Sequence, residues 1–402
     1  MADADTPVDF DPFGRAYFDD PYDTYRRLRD EAPVFHSDRY DFYALSRFDD
    51  VAAASLDWQT YSSAFGVDLH TLSSGRPLPF DIIIMMDPPK HDRMRALVSR
   101  VFTPRAIAEL EPMIRDVITD AADALAGRDG FDAVAEFAAL FPVEIISRML
   151  GVPAGDRQLI REWLDVSLHR EDGSSAPTEA GIAAGIASGM YFFELVAEKR
   201  RNPGDDMLSR LTQVEVDRGD GNPTALDDAE IAGFAALLGG AGAETVTKLV
   251  GNAVVLFDRH RDQWAHIVED PARIPSAVEE TLRYLPPSQY QGRYTVRETE
   301  LHGVTIPAGA PVLLLTGAAT RDERAYEDPD RFDISRPSSL SLGFGYGIHS
   351  CVGAALARME SRIALELLRS RWPTFDVDTA GLRRVQMSNV AGYANVPLEL
   401  GE

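Results

Sequence analysis

The sequence has 402 residues, 45% of them hydrophobic, and a formal net charge of −24. That apolar content excludes a disordered chain, and the acidic field argues against nucleic acid or anionic membrane as a partner. One cysteine, Cys351, excludes an internal disulfide and any four-cysteine metal site. No uninterrupted apolar run reaches the roughly eighteen residues that span a bilayer. The start, Met1-Ala-Asp-Ala-Asp-Thr-Pro7, has neither a basic nor an apolar leader pattern. With a lone thiol, the expectation is a cytoplasmic protein.

Helical periodicity dominates the chain. In order it predicts helices over Pro21–Asp30, Lys90–Val101, Pro104–Leu125, Ala133–Leu150, Ala154–Leu168 and Glu179–Arg201. Further helices follow over Asp205–Gln213, Asp228–Phe257, Arg261–Asp270, Ile274–Leu285 and Val352–Ser370. Strand patterns are few: Val34–His36, Phe42–Leu45, Gly292–Val296, Pro311–Leu315 and Val396–Leu400. The fold class is therefore mainly α with a small, mostly antiparallel β portion. A single domain over residues 1–402 is expected, with 1–20 as an N-terminal extension. No GxGxxG or phosphate-loop pattern joins a strand to a helix, which disfavours a nucleotide domain.

Four segments carry chemistry. Near Asp87-Pro-Pro-Lys-His91, His91 and Arg95 fall four apart on one helical face, which suits an anionic ligand group. The ordinary alternative is a solvated basic face. In the long helix from Asp228, an all-apolar run meets Gly239-Gly-Ala-Gly-Ala-Glu-Thr245. Three glycines there would let a ligand lie against the backbone and let the helix bulge. Thr245 can bond the Ala241 carbonyl, and Glu244 is a carboxylate in an apolar stretch. Alternatively, this is a loose helix crossing with Glu244 in solvent. Glu280 and Arg283 sit three apart, either as a functional pair or as a common surface pair. A strand carrying Arg293 follows. Finally, Phe344-Gly-Tyr-Gly-Ile-His-Ser-Cys-Val-Gly353 places Cys351 among glycines at the start of a helix. Free N–H groups and the helix dipole there stabilise a thiolate, whether nucleophile or metal ligand.

Together these pieces resemble the cytochrome P450 family over nearly the whole chain. Phe344–Gly353 is similar to its haem-ligand loop, Ala241–Thr245 to its oxygen-activation motif, and Glu280–Arg283 to its ExxR motif. Asp87–His91 with Arg95 resembles the haem-edge helix of the soluble bacterial type. The resemblance implies the P450 fold and a b-type haem with Cys351 as the iron ligand. Phe344, Gly347 and Gly353 then shape the loop, the two glycines letting N–H groups approach the sulfur. His91, Arg95, Arg293 and His349 would hold the haem propionates, and Arg283 would stay with Glu280. Glu244 and Thr245 would deliver protons to dioxygen, with Ala241 beside them.

The expected activity is that of a monooxygenase acting on a medium-sized hydrophobic molecule, with O2 as co-substrate. Electrons would come from a separate ferredoxin and its reductase. Lys90, Arg93, Arg100, Arg105, Arg358, Arg362 and Arg369 would form the basic docking island. Candidate pocket walls are Phe80–Ile84, Phe234–Ala241, Ser288–Gln291 and Ser388–Tyr393, with Ser288, Gln289, Gln291 and Asn389 as polar handles. A peroxide-driven oxygenase would not need the Glu244–Thr245 pair. A thiolate-haem gas sensor would lack that pair and the large apolar pocket.

Overall fold

The computed structural model describes residues 7–77, 82–99, 102–216, 224–337 and 339–401. Eight helices bear on the site. The first four are α1 (Lys90–Ser99), α2 (Glu111–Asp123), α3 (Phe141–Leu150) and α4 (Arg157–Leu168). The others are α5 (Glu179–Arg201), α6 (Asp228–Arg259), α7 (Ile274–Tyr284) and α8 (Ala354–Arg371). Strands β1 (Val34–Ser37), β2 (Phe42–Leu45), β3 (Tyr61–Ser62), β4 (Gln291–Thr295) and β5 (Pro311–Leu314) form one sheet in the order β1-β2-β5-β4-β3. All pairs are antiparallel except β2–β5.

Helix α6 organises the rest. Asp227 accepts from the Glu230 N–H at 2.8 Å, and Glu230 accepts from the Asp227 N–H at 2.9 Å. This reciprocal cap satisfies two otherwise orphaned donors and fixes the start of the helix. From there 32 residues run unbroken, about 48 Å at the α-helical rise. The helix packs on α3, α4, α5, α7 and α8, and most of its second half is buried.

The glycines of α6 have a different use from the one the sequence suggests. A Cβ on Gly239 would lie 3.2 Å from Phe192 of α5, and one on Gly240 3.1 Å from Leu164 of α4. On Gly242 it would lie 3.3 Å from Ile146 of α3. These glycines admit neighbouring helices at close range, and the helix does not bulge.

Two expected helices are divided. The pattern over Pro104–Leu125 breaks at Leu110 into Pro104–Glu109 and α2, where Pro112 occupies the first turn. Ala133–Leu150 becomes a wide turn over Ala133–Ala138 followed by α3, with Pro142 in the first turn. Proline has no N–H to continue a helix but fits its first turn. The N-terminal boundary also changes. Phe10, Phe13, Tyr17 and Phe18 are buried with Tyr25 and Phe42 in one apolar cluster. These four side chains therefore anchor residues 7–20 to the core, although Pro7, Asp9, Arg15, Ala16, Asp19 and Asp20 stay exposed. Among the described residues, only α5 is long and apolar enough to cross a membrane, and it packs on α4 and α6.

Candidate functional site

The cysteine loop is closed by its own backbone: the Cys351 N–H donates to the Phe344 carbonyl at 2.7 Å. Gly347 has φ of +71°, and a Cβ there would lie 2.4 Å from the Ser55 carbonyl oxygen. Its glycine is required by loop geometry and not by the sulfur. The Gly353 N–H instead bonds the Cys351 sulfur, at the threshold of α8. Burial pushes the Cys351 thiol up, while the Gly353 N–H, Arg95 and Arg358 pull it down. Arg358 stacks over the Phe344 ring at 4.5 Å and pairs with Glu279, fastening the loop to α7 and α8.

The sulfur opens onto a cavity of about 210 Å³. Thr245, Val246 and Leu249 of α6 form one wall, and Phe344, His349 and Cys351 form another. Thr245 donates its hydroxyl to the Ala241 carbonyl at 3.0 Å, and Ala241 is exposed. Glu244 points elsewhere. It is 3% exposed and lines a separate cavity behind α6, where Lys248 Nζ lies 2.9 Å from Oε2. The contact is an ion pair and not a directed hydrogen bond. Neither the solvent-facing alternative nor a position beside Cys351 describes it. Successive residues on a helix point about 100° apart, so α6 itself divides Glu244 from Thr245.

His91, Arg95, Arg293 and His349 gather at the edge of the Cys351 cavity. The rings of His91 and His349 meet edge-on at 4.5 Å, and both Nε2 atoms are buried without a partner. Arg293 is 5% exposed, and burial pushes it down to about 10. Burial lowers Arg95 as well. His349 falls to about 3, first through burial and then through Arg293, His91 and Arg95. Among the described residues no carboxylate forms an ion pair with Arg95, Arg293 or His349. Of the four, only His91 meets an acid among the described residues, its Nδ1 lying 3.1 Å from Asp92, so three acid-free donors and two open Nε2 atoms suit an anion, which fits the carboxylates of a haem.

Glu280 and Arg283 are no surface pair. Both are at most 4% exposed and bond twice, at 2.7 and 2.8 Å. Arg283 also donates to the carbonyls of Thr320, Pro329 and Arg331, so it is fully occupied by structure. The proposed handles separate too. Ser288 and Gln291 line the Cys351 cavity. Gln289 is buried, donates to the Pro286 carbonyl and accepts from Tyr25, so it belongs to the core. Asn389 donates to the Tyr290 carbonyl at 2.9 Å. Phe234 and Ala235 are also core residues. Phe80 and Asp81 of the first wall, and Arg100 of the basic island, lie outside the described residues.

The rest of that island is largely answered by acids. Arg358 pairs with Glu279, Arg362 with Glu111 and Glu366, and Arg105 with Glu109. Arg369 is spent on the Ile267 and Val268 carbonyls. Sequence reasoning missed Lys248 and Asp165, which surround Glu244. The Glu244–Lys248 spacing of four was a usable signal; Asp165 on α4 had none.

A cavity-facing thiol under a glycine N–H, a cluster of donors with open histidine nitrogens and a threonine-bearing helix suit a haem-thiolate site. Residues 273–387 match the Cytochrome P450 family model. The chain is 42% identical to putative cytochrome P450 123 of Mycobacterium bovis, over 98% of each. It is 40% identical to erythromycin C-12 hydroxylase of Saccharopolyspora erythraea, over 93% of each. A solved mutant of P450 EryK in complex with erythromycin B superposes with a TM-score of 0.86 at 38% identity, covering 95% of this chain and 96% of that one. The chain belongs to the cytochrome P450 family. It is a haem-dependent monooxygenase that uses O2 and a redox partner.

Proposed function

We propose that Cys351 ligates the haem iron and that His91, Arg95, Arg293 and His349 hold the propionates. The observation that carries this is the cluster of donors, three of them without an acid, at the edge of the cavity that Cys351 and Thr245 share. When bound, a thiolate-ligated haem supplies dioxygen activation and favours O–O cleavage. Thr245 holds water near the reacting oxygen, and Glu244 brings protons to it after turning from its place behind α6. The whole chain acts as one P450 domain in the cytoplasm, where its thiol stays reduced. A ferredoxin, itself reduced by a reductase, supplies the electrons.

The substrate in this reading is a medium-sized apolar molecule bearing one hydrogen-bond acceptor, such as a polyketide, steroid or other terpenoid. Ser288 supports that choice. Its hydroxyl oxygen accepts from Gln291 Nε2 at 3.1 Å, while Thr316 donates to Gln291 Oε1 at 2.6 Å. Gln291 is thereby fixed, and the Ser288 proton remains to donate into the cavity. A polyketide is favoured because the hydroxylase relative is named for erythromycin. The test is a spin-state titration of the haem protein against apolar compounds with and without a carbonyl or hydroxyl acceptor. Acceptor-bearing compounds should bind, and Ser288→Ala should weaken them by about tenfold, one hydrogen bond. Equal binding of acceptor-free analogues would refute the handle.

A further inference from the structure

Helix α5 is covered on one side only. Phe192 and Val196 face the interior, and Phe192 lies against Gly239 of α6. On the other side Ile182, Ile186, Met190 and Phe193 are 51, 60, 61 and 47% exposed. They are four of the nine large hydrophobic side chains exposed among the described residues. Their spacings of four, four and three place them in one row along three turns. A monomer scatters such residues singly, whereas a continuous apolar row marks a contact surface. Gly185 and Gly189 lie beside the row, and a Cβ on either would meet nothing within 4 Å. Glycine weakens a helix relative to alanine, and packing within the chain does not require it at these two positions. Both leave room for a second helix backbone, as Gly239, Gly240 and Gly242 do for the neighbours of α6.

The two ends of this face carry opposite charge. Glu179 is exposed about one turn before Ile182. At the far end stand Arg200, whose side chain is 35% exposed while it holds Asp228, and Arg201, 66% exposed. We propose that this face docks a second copy of the chain, the two α5 helices running antiparallel about a two-fold axis between Gly189 and Met190. In that register Glu179 meets Arg200 of the second copy, and Ile182 meets Ala197. Ile186 meets Phe193, and Gly189 meets Met190, each pair occurring twice by symmetry. Small residues thus face large ones at the centre and flanks, acid meets base at the ends, and the helix dipoles oppose. A parallel pairing sets Glu179 against Glu179 and Arg200 against Arg200, which like-charge repulsion disfavours. The charge of −24 on each copy works against association. The apolar row therefore supplies the affinity, and the end charges set the direction.

The test is sedimentation velocity of full-length, haem-loaded protein over a concentration series. A reversible dimer should form, and Met190→Glu should raise its dissociation constant by about 30-fold or more, as loss of a central anchor does. Gly189→Leu adds apolar surface and meets no neighbour within its own chain. It should weaken the dimer comparably, because it parts the two backbones. Both variants should keep the thermal midpoint of the unaltered monomer, since neither side chain is enclosed within one chain. Direction is read by cross-linking: Gly189→Cys should yield a disulfide-linked dimer on oxidation. Glu179→Cys should not, because antiparallel helices hold the two copies of that position about 30 Å apart. A monomer at every concentration, a dimer indifferent to both Met190→Glu and Gly189→Leu, or cross-linking through Glu179→Cys overturns the proposal. So does binding of a monomer to phosphatidylcholine vesicles that Met190→Glu abolishes, because a lipid surface would then be the occupant.

Discussion

Arg293 is enclosed by protein, and its Nη1 donates to the Gly292 carbonyl at 2.7 Å. The nearest acidic influence is Asp87, which is itself occupied by Ser63 N–H at 3.0 Å and by the Ser62 hydroxyl. Depression to about 10 means that enclosing the charge costs on the order of 3 kcal/mol before an anion arrives. Replacement should therefore act with opposite signs on the two forms of the protein. Arg293→Met is expected to raise the thermal midpoint of haem-free protein and to speed haem loss from the loaded form. Calorimetry with and without haem measures both; a midpoint that falls in both forms would contradict the assignment. The same scale shows what sequence could reveal. His91 and Arg95 were legible from their spacing, and Cys351 from its glycines. That Gln289 belongs to the core was not legible, because its partner Tyr25 lies 264 positions away.

At the scale of elements, α6 meets its neighbours through glycine. A Cβ on Gly251 would lie 2.6 Å from Val134 Cγ2. Alanine favours a helix by about 1 kcal/mol over glycine, whereas overpacking costs about 1–3 kcal/mol. Gly251→Ala should thus leave the protein unchanged or up to about 2 kcal/mol less stable. Combined with Val134→Ala, it should recover the part that comes from the clash, in a double-mutant cycle of denaturant unfolding. Strict additivity of the two changes would refute the contact. The boundaries of α5, α6 and α7 were readable because their apolar periodicity and caps are local. The divisions at Leu110 and ahead of Pro142 were also written locally, in proline, but apolar periodicity continued across them. What faces Gly239, Gly240 and Gly242 comes from three other helices, and no periodicity within α6 encodes it.

For the whole molecule, the −24 charge sets a general repulsion toward acidic carriers. Because Glu279, Glu366, Glu111 and Glu109 already answer much of the basic island, docking of a ferredoxin should gain only modest steering. Its reduction rate should fall by less than about tenfold as salt rises to physiological strength, below the larger effects of strongly steered pairs. A rate that rises with salt would contradict docking on that face. Glu109 and Glu366 stand four positions from Arg105 and Arg362 and were readable from spacing, whereas Glu279 and Arg358 are 79 positions apart and were not.

The central claim is that Cys351 is the iron ligand, and the carbon monoxide difference spectrum of the reduced protein tests it most directly. The unaltered protein should give the band from which the family takes its name, and Cys351→His should bind haem but lose that band. Retention of the band in Cys351→His would contradict the account.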